Sequence, residues 1–408
     1  MKPIAMIVLA VAVSCACAQE AHETPPILKA TEILKPELLS GPHHKVRENV
    51  PTMSGANRFG IDSSFGVFEA EGNTLLEIRV SEIGAIEKLR QVSRSEEYKK
   101  ALERAARAPV EFGERLVKDP VKTAADVPKG ALKLLGRIGE GIKDVADGKS
   151  GDAGATATSA IGMQAVKRQL AVELGVDPYT TNQVLQKELD SVAWTSFAGG
   201  ATIKVLLLPL SGAVVTGVKV ASTGSDAQNL LKESSPTDLR VTNREKLLAM
   251  EVPKGIAEAF LGNASFSPTR QTFLVAALAR LDGVKGRADF VRLAGESAED
   301  EQDAIFWDLT ARMIADLRAK RPLDRIVLLA GGFPVAVAAD GTVVVALHWD
   351  YACWTPLAVQ FTAAVQKLGG VQKPGVVALS GTASPRLRKE LEARGFRVEE
   401  RLVAGPLK

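Results

Sequence analysis

The sequence predicts an α+β protein, mostly helical, with a small N-terminal antiparallel sheet, a helical middle and a small C-terminal α/β domain of mixed sheet. Three observations predict it. Strand-like runs and a Gly-Asn turn cluster between residues 43 and 80. Helical runs opened by Ser-Pro pairs fill 225–322. From Arg325 onward, strand-length apolar runs alternate with a hairpin turn and proline-started helices. The 408 residues suggest two or three domains. Hydrophobic residues at 46% and charged residues at 24% are ordinary for a folded chain.

Residues 1–18 read as a signal peptide. Lys2 supplies the positive start, Ile4 to Val13 is a short apolar run, and Ala16-Cys17-Ala18 fits the small-x-small cleavage rule, leaving Gln19 first. The expected location is therefore the periplasm or the cell envelope. Cys15 and Cys17 raise an alternative, a lipoprotein acylated on cysteine. Ala16 suits that reading, whereas Ser14 stands where a bulky aliphatic residue is usual. After cleavage Cys353 is the single cysteine, so no internal disulfide is expected.

Residues 19–42 are rich in Pro, Glu and Lys and read as a loosely packed tether. The span 43–150 reads as a small sheet followed by amphipathic helices. His44–Val50, Asn57–Ile61 and Phe65–Ala70 are strand-like, and Gly72-Asn73 reads as a hairpin turn into a strand Thr74–Val80. Ser81 is expected to cap a helix, and Ser95 to Ala108 to form a second, highly charged one ended by Pro109. Lys129 to Val145 reads as a basic amphipathic helix weakened by four glycines. Asp147 to Thr158 reads as a hinge or loop.

The span 151–224 then carries a helix expected from Asp177-Pro178, running into the most apolar stretch after the leader, Trp194 to Thr223. A membrane span needs about 20 apolar residues. Here Lys204 and Lys219 bracket a shorter run, interrupted at Pro209 and Gly212. A buried core segment broken at Pro209 is the favoured reading, and a membrane-dipping hairpin the sharper one. In 225–322 helices are expected at Thr237–Met250, Pro268–Leu281 and Ser297–Lys320. In 323–408, Arg325–Ala330 reads as a central strand, Asp340-Gly341 as a hairpin turn, and Gly375–Leu379, Pro385–Arg394 and Phe396–Arg401 as one βαβ unit with parallel strands.

Two places could hold chemistry. His348-Trp349-Asp350-Tyr351-Ala352-Cys353-Trp354 gathers two of the four tryptophans and the last of the four histidines beside Cys353. A cysteine nucleophile needs a base nearby. In continued strand geometry His348 and Asp350 share one face and Cys353 the other, which separates the pair. A buried, structural Cys353 is the plainer reading. Ser380, Thr382 and Ser384 offer hydroxyls at a helix start, an anion-binding geometry, although an ordinary N-cap at Ser384 accounts for most of it. His43 and His44 point to opposite faces of a strand and have no third ligand nearby, so no metal site is expected there. No cofactor motif is present.

A net charge of +3 gives no reason to expect nucleic acid. With no strong catalytic signature and an apolar middle, the expected function is an exported scaffold or adaptor that binds a membrane surface or an envelope protein. The alternative is a hydrolase or transferase using His348, Asp350 and Cys353 on the C-terminal domain.

Overall fold

The computed structural model describes residues 22–106, 151–203, 207, 230–329, 333–368 and 375–403, with the backbone alone for 151–160. Residues 1–18, expected as a leader, the run Lys129–Val145 and most of Trp194–Thr223 lie outside the described residues. The molecule is α+β, with an N-terminal antiparallel sheet and a C-terminal mixed one.

The chain opens with β1 (Ile27–Lys29), α1 (Ala30–Ile33), α2 (Pro36–Leu39) and β2 (Ser40–Gly41). This corrects the loose tether expected over 19–42. β1 pairs antiparallel with Asn49–Pro51, and Ala30 and Leu34 are fully buried, so packing outweighs the polar composition. β3 (His44–Val46), β4 (Asn49–Met53), β5 (Ala56–Ser63) and β6 (Gly66–Glu71) complete the sheet, in the order β1-β4-β5-β3-β2 with β6 on the other side of β5.

Gly72-Asn73 makes no hairpin. Gly72, at φ 95°, leaves β6 and caps α3 (Asn73–Arg94), a helix that includes the stretch Thr74–Val80 expected as a strand. Leu75, Leu76, Ile83, Ile86 and Leu89 recur at helical spacing and are all buried, which overrides the local alternation. Ser81 thus lies inside the helix. The backbone is helical again over 96–106.

α4 (Gly151–Glu173) replaces much of the loop expected at 147–158, since its alanines offset the cost of its glycines. α5 (Gln183–Gly199) starts at Asn182, whose side chain accepts from the N–H groups of Val184 and Leu185, and not at Asp177-Pro178. Gly200, at φ 62°, ends it. Ile203 and Leu207 then pack on the cluster formed by α3, α4 and α5. Among the described residues no helix is long and apolar enough to cross a membrane.

The helical array holds α6 (Pro236–Ala249), α7 (Lys254–Gly262), α8 (Pro268–Ala279), α9 (Arg287–Ser297) and α10 (Glu301–Lys320). Ser235 and Ser267 cap α6 and α8 as their Ser-Pro pairs imply. α7 and α9 were not anticipated. The helix expected from Ser297 begins only at Glu301, because Asp300 supplies the cap.

The C-terminal part comprises β7 (Leu323–Leu328), β8 (Pro334–Ala338), β9 (Val343–Leu347), β10 (Tyr351–Ala352), α11 (Pro356–Gln366), β11 (Val376–Leu379), β12 (Thr382–Ala383), α12 (Pro385–Ala393) and β13 (Arg397–Glu399). Its main sheet runs β13-β11-β9-β8-β7, with β9, β11 and β13 mutually parallel and β7, β8 and β9 antiparallel. β7 is an edge, not the central strand expected; the wholly buried β8 and β9 take the centre. Side-chain alternation makes this sheet a middle layer. Val343, Val345, Leu347, Val377 and Leu379 join the cluster under α12, and Ala336, Ala338, Val344 and Ala346 join the cluster of the helical array.

Candidate functional site

The segment His348 to Cys353 sits where the N-terminal region meets the C-terminal sheet. β9 ends at Leu347, and Trp349 N–H turns back to Leu347 O at 3.0 Å, so strand alternation does not persist. The turn between β4 and β5 docks on this bend. Gly55 O accepts from Asp350 N–H at 2.8 Å and Tyr351 N–H at 3.2 Å. Gly55 has φ 85°, and a Cβ there would lie 2.6 Å from the Trp349 ring, so glycine is required twice over. On the other side Thr382 N–H donates to Asp350 O at 3.0 Å.

The Asp350 carboxylate closes the joint. Its Oδ2 accepts from Asn57 N–H at 2.9 Å and from Asn73 N–H at 3.0 Å. Asn73 is the first residue of α3, so the acid also meets the positive end of that helix. Burial raises Asp350 to about 7, and the two amides offset only part of this. His348 Nε2 lies 3.1 Å from Thr74 Oγ1, on the same turn of α3. Burial, then the Arg270 and Arg312 charges, lower His348 to about 3, so the ring is neutral at pH 7. Its Nδ1 is buried without a hydrogen bond among the described residues.

This arrangement brings His348 and Asp350 to one joint but commits each to a different partner on the N-terminal region. Cys353 is buried, and burial followed by the Glu23 charge pushes its thiol up to about 11. Such a thiol is almost wholly protonated at neutral pH, the reverse of what a nucleophilic cysteine needs. Thr74 and His348 superficially resemble a hydroxyl nucleophile with its base. A base held near 3 has too little proton affinity to activate a hydroxyl at neutral pH.

Of the three residues read as an anion site, Ser380 and Ser384 commit their hydroxyls to the chain's own groups, and Thr382 commits its backbone. Ser380 Oγ donates to Trp349 O at 2.8 Å. Thr382 pairs with Tyr351 across the short β10–β12 ladder. Ser384 Oγ accepts from Leu387 N–H at 2.9 Å as the α12 cap and donates to Glu23 Oε2 at 2.6 Å. Glu400 accepts from Ala383 N–H at 2.5 Å and pairs with Arg388. His43 stacks on Phe65, and His44 Nε2 lies 3.2 Å from Leu38 O.

Sequence reasoning missed a second polar centre, the loop Asp177-Pro178-Tyr179-Thr180-Thr181-Asn182 between α4 and α5. Every polar side chain in it reaches another part of the chain or caps α5. Asp177 accepts from Thr269 Oγ1 on α8 at 2.6 Å, and Tyr179 OH donates to Ser234 O at 2.8 Å. Thr180 donates to Glu82 on α3, and Asn182 Nδ2 donates to the same carboxylate at 2.9 Å. Thr181 donates to Glu301 on α10 at 2.6 Å. Arg79 spans Glu82 and Glu301. Burial raises both Asp177 and Glu82 above the usual carboxylate range. Beyond it Asp308, fully buried on α10, pairs with Arg270 and Arg312. The only available sequence signal was the density of polar side chains around one proline.

A cavity of about 30 Å³ lies between β9, β11, α11 and α12, lined by apolar groups that include Phe333, Trp349 and Phe361. Such a space has room for little more than a methyl-sized group or two waters. Comparison with protein-family models, with curated proteins and with solved structures finds no match for this chain.

Proposed function

We propose that this protein is exported to the cell envelope and acts there as a non-catalytic scaffold, presenting surfaces to a membrane or an envelope protein. One observation carries the reading: Asp350, the best-placed acid of the candidate centre, spends its carboxylate on two backbone amides that join the two ends of the chain. His348, held neutral against Thr74, and Cys353, held as a thiol, support it. A leader-like start and an apolar central run support the export and membrane parts. The hydrolase or transferase reading needs a thiolate beside an imidazole, and this geometry disfavours one.

Two measurements test it. Iodoacetamide labelling of the folded protein at neutral pH, followed by mass spectrometry, should find Cys353 at least about a hundredfold slower than in the unfolded chain. Fast labelling abolished by His348→Ala would restore the enzyme reading. In fractionated cells the processed protein should sit in the envelope and float with anionic vesicles. An intact leader on protein retained inside the cell removes export, and absence of flotation removes the membrane partner.

A further inference from the structure

Glu23 reaches across 361 residues of sequence to Ser384. Residues 22–26 run without helix or strand before β1 begins. Pro25-Pro26 holds this stretch extended, so it loses little freedom on docking. Glu23 meets the C-terminal part with main chain and side chain together. Its N–H donates to Trp354 O at 2.8 Å. Its Oε2 accepts from Trp354 N–H at 2.6 Å and from Ser384 Oγ at 2.6 Å. Ser384 is 2% exposed and caps the nine-residue α12, so the carboxylate lies where the helix end favours an anion. The receiving groups are thus fixed and buried, while Glu23 itself is only half-buried. A fixed receptor that pairs with extended backbone and holds one side chain is a recurring mode of peptide recognition.

We propose that the Trp354 backbone and the Ser384 hydroxyl together form a binding site for an extended acidic peptide segment, and that His22 to Pro25 of this chain, ahead of the anchored β1, fills it as a displaceable ligand in cis. The ligand must supply a backbone N–H next to a glutamate side chain. An aspartate is one methylene short, and a free phosphate lacks the backbone half. This goes beyond the scaffold reading and depends on neither export nor a membrane. Cys353 is next to Trp354 in the chain, buried and within reach of the Glu23 charge, so its thiol reports when the segment lifts.

The test uses the full chain carrying Glu23→Ala, and a fluorescein-labelled peptide with the sequence of residues 22–26. The peptide should bind Glu23→Ala at least about tenfold more tightly than the natural chain, whose site is filled. A peptide with glutamine at the Glu23 position should bind about tenfold more weakly. Cys353 alkylation should rise several-fold in Glu23→Ala and fall again with peptide present. Adding Ser384→Ala should abolish binding. Adding Ser384→Asp, which keeps the α12 cap but repels a carboxylate, should do the same. No binding to Glu23→Ala at about 1 mM peptide overturns the proposal. So does equal binding with and without Ser384→Asp.

Discussion

Asp350 and Glu23 perform the same chemistry at two places on one seam. Each is a carboxylate that accepts a main-chain N–H from a distant part of the chain near the N-terminus of a helix. Their surroundings differ. Asp350 is 4% exposed, and the backbone on both sides of it bonds to Gly55 and Thr382. Glu23 is half-buried at the start of an extended segment, with Trp354 and Ser384 as its partners. The contrast teaches that the carboxylate alone does not make a joint permanent. Permanence comes from how much neighbouring backbone is committed and how well water is kept out.

The largest expected effect separates the two. Asp350→Ala leaves two buried amides without an acceptor, each costing roughly 1–3 kcal/mol, so a total loss of about 4 kcal/mol is expected in chemical denaturation. Glu23→Ala, where loss of a half-buried side chain opens room for water to reach the Trp354 N–H and Ser384 Oγ, should lose about 1 kcal/mol. Equal losses would erase the distinction.

A smaller effect comes from pH. Asp350 stands at about 7 in the fold, above its ordinary value of 3.8, so the folded chain holds this proton more tightly than the unfolded one. That contribution is complete below the unfolded value and is lost as pH rises through about 7. Relative to Asp350→Asn, the natural chain should therefore gain about 2.5 kcal/mol as pH falls from roughly 8 to 5. Burial also raises Glu77, on α3, to about 7, but its shift and that of His348 are common to both chains and cancel in this difference. A gap that stays constant over that range would show that Asp350 is not held against burial.

The seam also marks what a sequence can and cannot reveal. The helix starts at Pro236, Pro268 and Pro385 are legible because Ser235, Ser267 and Ser384 bond to N–H groups only three residues away. The Asp340-Gly341 turn is legible for the same local reason. The start of α3 is not, because the acid that meets it lies 277 residues downstream, and the alternation over Thr74–Val80 competes with the helical pattern. β1 is three residues long beside two prolines and exists only through its pairing with β4. His348, Asp350 and Cys353 stood out by residue type. Their roles did not, because two of the groups they meet are backbone amides, which leave no side-chain signature. The Asp177–Asn182 loop was hidden likewise, its partners being spread over α3, α8 and α10.

Hydrogen exchange read at three amides tests the central claim most directly, since that claim is that Asp350 joins the chain's two ends rather than reacting. Asn57 and Asn73 should exchange with the slowest class of amides in the natural chain, and Trp354, under the Glu23 segment, distinctly faster. In Asp350→Ala the first two should speed up by at least about tenfold while the interior of β9 stays protected. Rapid exchange of Asn57 and Asn73 in the natural chain, leaving the carboxylate free to act on something else, would contradict the account.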